Sequence, residues 1–137
     1  MRKIDLIIVH CTATPRGRQV SVADIDRWHR QRGFKCIGYH YVVGLDGQVS
    51  TGRDEAVIGA HCSGKNATSI GVVYVGGVEA DCVTPADTRT PAQREALRQL
   101  LLKLKAKYPG AQIRGHRDFA AKACPSFDAT AEYASLP

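Results

Sequence analysis

Apolar positions along the chain follow two rhythms. The run "IDLIIVHC" (4–11) is apolar at nearly every position and rich in isoleucine, which predicts a strand buried on both faces. "TSIGVVYVGG" (68–77) has the same character and predicts a second buried strand. "GYHYVVGLDGQVSTG" (38–52) reads as two strands around an "LDG" turn, and "AQIRGH" (111–116) as a short strand with His116 at its end. Helical spacing takes over in "SVADIDRWHRQRG" (21–33), which opens on Ser21 as N-cap with Asp24 three residues later and stops at Gly33. The clearest helix is "TPAQREALRQLLLKLKAKYPG" (90–110). Thr90 caps it, Pro91 opens it, Gln93 completes a capping box and Pro109-Gly110 end it. Leu97, Leu100, Leu101, Leu104 and Tyr108 form its apolar face. The polar, turn-rich "VEADCVTPADTRT" (78–90) is expected to be a surface loop. Strands mixed with helices predict a single α/β domain over 1–137 with helices flanking one central sheet, and the hairpin makes that sheet mixed.

Composition narrows the function without naming it. A chain of 137 residues with 44% apolar and 23% charged positions can bury roughly 70% of its unfolded surface, so it needs neither disulfides nor a metal merely to fold. No apolar run approaches a membrane span, and "MRKIDLIIVHCTATP" lacks a cleavage pattern, so the start reads as a strand and not a signal peptide. Synthesis in the cytoplasm is therefore expected. The odd set of five cysteines (Cys11, Cys36, Cys62, Cys82, Cys124) fits reduced thiols, with at least one available for metal or chemistry. A net charge of +6 favours anionic partners, although "KLKAK", the densest cluster, also reads as a solvated helix face.

The stretch "GHRDFAAKACPSFD" (115–128) gathers an imidazole, an amine and a thiol. His10 ends the first strand and His116 the last. If those strands are neighbours, the two imidazoles meet at one sheet edge, and Cys124 on the following loop supplies a third donor. Two histidines and a thiolate suit Zn²⁺, and three protein ligands leave a fourth position open for chemistry. On spacing alone the plain alternative stays open: a core histidine, a surface histidine and a small buried cysteine. Lys122 is placed to face an oxyanion, and Tyr39 to face the site with His40 turned away. Cys11 should point to the opposite face from His10, whereas the neighbouring His61 and Cys62 on a loop remain competing ligands. His29 reads as a surface or packing residue, and Asp54 with Glu55 as a turn or ion pair.

The chain also resembles a known family, the zinc-dependent N-acetylmuramoyl-L-alanine amidases of the phage-lysozyme type, related to the peptidoglycan recognition proteins. The resemblance rests on "IIVHCTAT", "GYHYVVGLDGQV", "GRDEAVIGAHCSGKNATSIGVVYVGG", "TPAQREALRQLL" and "IRGHRDFAAKACPSFD", in order from about Leu6 to Asp128. It implies one zinc ion per chain held by His10, His116 and Cys124, with Tyr39 beside the metal water and Lys122 at the oxyanion position. His61 and Asn66 would lie along the substrate groove. It also implies hydrolysis of the amide between N-acetylmuramic acid and L-alanine by a phage or prophage lysin. The expected partner is peptidoglycan, acted on by a monomer that needs neither nucleic acid nor membrane. Two alternatives follow from the same likeness, a muropeptide-recycling amidase and a recognition module that binds without cutting. Members of the latter kind typically lack the cysteine ligand, which is present here. A zinc nucleobase deaminase is excluded, because no H-x-E with a partnered P-C-x-x-C occurs. The chain stops soon after Asp128, so any closing helix is expected to be short.

Overall fold

The computed structural model describes residues 2–137. Its centre is a five-stranded sheet built from β1 (Leu6–Cys11), β3 (Tyr41–Val43), β4 (Val49–Thr51), β5 (Ser69–Tyr74) and β7 (Gln112–Gly115). The strand order is β4-β3-β5-β1-β7. The β3–β4 hairpin is antiparallel and the other pairings are parallel, so the sheet is mixed. The two apolar runs occupy the interior positions β5 and β1, where continuous hydrophobicity is required because both faces are covered. A small parallel pair, β2 (Thr14–Pro15) with β6 (Gly77–Val78), lies beyond the ends of β1 and β5.

Alternation along β1 sorts its side chains between two layers. Ile7, Val9 and Cys11 join Ile70, Val72 and Tyr74 under Leu97, Leu100, Leu101 and Leu104 of α2 (Pro91–Lys107). His10 points the other way, toward the layer holding α1 (Val22–Gln31), whose Ile25 and Trp28 pack with Ile37, Val42 and Val73. Both helices start as their sequences direct. Ser21 and Asp24 exchange side-chain and backbone hydrogen bonds at 3.0 Å, and Thr90 and Gln93 do the same at 3.0 and 2.9 Å. Gln93 is also fully buried, and its Nε2 donates to the carbonyls of Val43 and Val75, tying the start of α2 to the ends of β3 and β5.

The loop expected at 78–90 is only partly on the surface. Val78 pairs in β6 and bridges Pro85, while Thr88 and Arg89 are 5% exposed. Arg89 is tolerated inside because Asp87, Glu132 and Tyr133 take its N–H groups and its guanidinium stacks 3.5 Å from the Phe127 ring centroid. Tyr108, assigned to the apolar face of α2, caps its C-terminus and donates to Glu55, which also pairs with Lys107 at 3.0 Å. The closing helix α3 (Ala129–Glu132) is short, as expected. Among the described residues no helix is long and apolar enough to cross a membrane.

Candidate functional site

The condition on which the three-donor cluster depended is met. Strands β1 and β7 are parallel neighbours, and Val9 pairs with Gly115, so the next residue on each strand is a histidine. The His10 and His116 rings lie 4.5 Å apart between centroids. Beyond β7 the chain makes a single 3₁₀ turn (His116–Asp118) and loops back, the loop closed by Arg117 N–H donating to the Cys124 carbonyl at 2.8 Å. Cys124 Sγ sits 3.9 Å from His10 Nδ1 and accepts the Cys11 N–H at 3.2 Å. The donor atoms of His10, His116 and Cys124 all lie within 4.8 Å of one another, the one such group of histidine, cysteine or carboxylate ligands among the described residues.

These donors have the chemistry a cation requires. Burial first, then the neighbouring His61, His116 and Lys122, hold His10 well below its ordinary value, and burial followed by Lys122 lowers His116. Both imidazoles therefore present bare nitrogens at neutral pH. A hydrogen bond from the Cys11 thiol, then burial, pushes the Cys124 thiol up, so a positive charge is needed to hold it as thiolate. Around a tetrahedral Zn²⁺ ion, sulfur and nitrogen donors stand about 3.6 Å apart. The 3.9 Å spacing seen here accommodates one with little movement.

His10 is 1% exposed and its outer nitrogen is engaged. Its Nε2 lies 2.8 Å from His61 Nδ1, and His61 Nε2 lies 3.2 Å from Ser69 Oγ. With His10 Nε2–H donating to His61 and His61 Nε2–H donating to Ser69, the His10 Nδ1 lone pair is left facing Cys124. Spacing gave no sign of this support. Room for the His61 ring comes from Gly71 on β5, where any Cβ would stand 2.6 Å from it.

Tyr39 and His40 precede β3 by two and one residues, but their faces alternate as expected. Tyr39 stacks 5.1 Å from His10. His40 turns into the backbone, accepting from Gly71 N–H and bonding Val57 O. Burial, with the Cys124 thiol nearby, raises the Tyr39 phenol, which stays protonated. Tyr39, His61, Asn66, His116 and Lys122 line one cavity of about 430 Å³. Asn66 Oδ1 accepts the N–H groups of His61 and Cys62 at 2.9 Å, which shapes the loop, and Asn66 Nδ2 has no partner among the described residues. Cys62 is buried apart from the three donors, and Cys11 lies in the α2 layer but meets Cys124 through both its backbone N–H and its thiol. His29, a packing residue as expected, also lines the cavity, and its Nδ1 accepts Gly38 N–H at 2.8 Å. Asp54 makes a turn with Ala56 and Glu55 an ion pair, with no part in the site.

Five histidines depressed by burial set a pH dependence. The folded pKa values of His10, His29, His40, His61 and His116 all lie below the ordinary value of 6.5, His61 at about 3. The unfolded chain therefore takes up protons that the fold rejects as the pH drops. Metal-stripped protein is expected to keep its full stability above about pH 6.5 and to lose it progressively toward pH 3. A urea midpoint unchanged between pH 8 and pH 4 would contradict this.

Comparison with known proteins places the chain in a family. Residues 1–127 match the family described as N-acetylmuramoyl-L-alanine amidase. An endolysin of Klebsiella phage KP32 is 48% identical over 122 residues, spanning 89% of this chain and 80% of its own. The solved amidase LysC from Clostridium intestinale superposes with a TM-score of 0.84 at 29% identity, covering 98% of this chain and 86% of its own. Drosophila PGRP-LB superposes at 0.81 with 27% identity, covering 100% and 83% respectively.

Proposed function

Because the chain belongs to the N-acetylmuramoyl-L-alanine amidase family, we propose that His10, His116 and Cys124 hold one Zn²⁺ ion at which this peptidoglycan amidase cuts its substrate. The enzyme hydrolyses the amide between N-acetylmuramic acid and the L-alanine of the stem peptide, in the manner of the phage endolysins to which it is similar. We read it as a lysin made in the cytoplasm that acts on the wall after release. The observation that carries the metal reading is the mutual approach of three donor atoms within 4.8 Å at the ends of two adjacent strands. A cluster that retains its cysteine also favours a cutting enzyme over a module that only binds.

When bound, zinc supplies Lewis acidity toward the scissile carbonyl and draws the pKa of a coordinated water toward neutrality. The remaining work falls to side chains. Lys122, whose charge already bears on both histidine ligands, donates to the carbonyl oxygen as negative charge builds there. The protonated Tyr39 Oη, in the same cavity, offers a hydrogen bond beside the donor cluster. Asn66 offers Nδ2 to the substrate, and His61 acts through His10 without touching the substrate by its nitrogens.

That role gives His61 a graded signature. His61→Ala is expected to weaken zinc binding roughly 10–100-fold, the usual cost of losing a partner that orients a ligand. His61→Asn restores an acceptor at the Nδ1 position and should recover much of the loss, whereas His61→Gln should recover less. Competition with a chromophoric chelator measures this directly, and equal affinities in all three variants would remove the assignment. The function itself is tested by incubating the purified protein with sacculi. The expected products are free L-alanine amino termini and the matching lactyl carboxylates of muramic acid, with no new reducing ends, and native protein should carry one zinc per chain. New reducing ends without new amines would mean a glycosidase.

A further inference from the structure

The segment 52–68, between β4 and β5, carries His61 to His10, and the single 3₁₀ turn Asn66–Thr68 is its sole regular element. Such a stretch keeps its shape only through the groups that tie it down. Three ties each fix one part of it. Arg53 Nη1 donates to the Ile58 carbonyl at 2.7 Å, His40 Nε2 to that of Val57 at 2.8 Å, and Asn66 Oδ1 takes the N–H groups of His61 and Cys62. Arg2 joins the two ends. Its Nε and Nη2 donate to the Glu55 carbonyl at 3.1 and 2.6 Å, and its Nη1 lies 3.2 Å from each of the carbonyls of Asn66, Ala67 and Ser69. The Thr68 carbonyl between them takes the Asp5 N–H at 2.9 Å.

Two features set Arg2 apart from the other arginines. Arg16, Arg27 and Arg30 pair with the carboxylates of Glu79, Asp24 and Asp26. Arg2 makes no ion pair among the described residues, and its acceptors are main-chain carbonyls. The Glu55 carboxylate is engaged elsewhere, by Tyr41, Tyr108 and Lys107. His40 accepts the Gly71 N–H at Nδ1, so its Nε2 carries a proton and the 3.3 Å approach of Arg2 Nη2 is a contact of two donors. A planar cation with several fixed donors suits such an array of carbonyls. The second feature is where the contacts lead. Ser69, whose carbonyl faces Arg2, places its Oγ 3.2 Å from His61 Nε2, and His61 Nδ1 lies 2.8 Å from His10 Nε2.

We propose that Arg2 is a positioning residue for the zinc site: by holding Glu55 and Ser69 together it keeps His61 seated against His10, and through His10 it sets the metal affinity. The inference rests on the zinc reading and adds a residue that lines no part of the cavity. Without Arg2 the ends of the segment can part, and His10 loses its partner for a fraction of the time. The apparent affinity then falls in proportion to the molecules that stay assembled.

The test is a double-mutant cycle read in zinc affinity, with a chromophoric chelator as competitor and no substrate present. It compares the parent, Arg2→Ala, His61→Ala and the protein carrying both changes. Arg2→Ala should weaken zinc binding about 2–30-fold. In the His61→Ala background it should add little further loss, because the group it works through is gone. A purely structural arginine would instead give the same loss in both backgrounds. Parental affinity in Arg2→Ala, or equal losses in the two backgrounds, would overturn the assignment. Should circular dichroism show that Arg2→Ala does not fold, Arg2→Lys takes its place in the cycle. A single ammonium cannot span both ends of the segment, so its affinity should also fall, and parental affinity there would equally overturn the role. If the parent itself bound no zinc, the metal reading would fall first and the Arg2 role with it.

Discussion

Replacing Cys124 with alanine is expected to give a folded protein that neither retains zinc nor cleaves muropeptides. The reasoning starts from what each donor can be at neutral pH. The two histidines are neutral, because burial heads the causes that depress them, so Cys124 is the sole donor of the three that can bring negative charge to a divalent ion. Losing it leaves two imidazoles, too few for a stable zinc site. The fold pays a smaller cost. Cys124 Sγ accepts the Cys11 N–H at 3.2 Å, and an unpartnered N–H at that depth costs about 1–3 kcal/mol. Cys124→Ser returns an acceptor to this N–H and should recover part of the stability, yet a hydroxyl will not stand in for the thiolate. Elemental analysis of undenatured protein, with a denaturant titration on each variant, separates the two effects. One equivalent of zinc and full turnover in Cys124→Ala would sink the site assignment.

Lys122→Ala should keep the metal and slow turnover, roughly 10²–10³-fold if the ammonium stabilises charge on the carbonyl oxygen in the transition state. Its position supports that division. It lines the cavity and its charge reaches His10 and His116, but it is not one of the three clustered donors. An interaction made only in the transition state lowers kcat with little change in KM, whereas a lysine that merely attracts an acidic substrate raises KM and loses its effect in high salt. Steady-state kinetics at two ionic strengths distinguish the two. Turnover equal to that of the parent would take Lys122 out of the mechanism.

Much of the fold was readable because it depends on local signals. The isoleucine- and valine-rich runs became the interior strands β1 and β5, and both capping boxes formed at the residues named for them. The three-donor cluster was readable only conditionally. Nothing in the spacing of His10 and His116 says that β1 and β7 are adjacent, since that pairing joins segments about a hundred residues apart. Resemblance to a family supplied what periodicity could not. Features built from two distant segments escaped entirely. Arg89 lies in the segment expected at the surface, yet Asp87, Glu132 and Phe127 close around it, and Gln93 completes the capping box while its amide also reaches Val43 and Val75. His61 lines the cavity where the resemblance puts it, but its sequence neighbours give no hint that its ring nitrogens also meet His10 and Ser69.

The placement of the three donors has a consequence for synthesis. His10 lies near the start of the chain, on a strand paired on both sides, but His116 and Cys124 are contributed by β7 and the loop after it. A ribosome making this protein therefore releases most of the sheet before any complete site exists. Products of premature termination ahead of residue 116 would carry a single one of the three donors, and on the proposed zinc reading they are expected to leave the wall uncut.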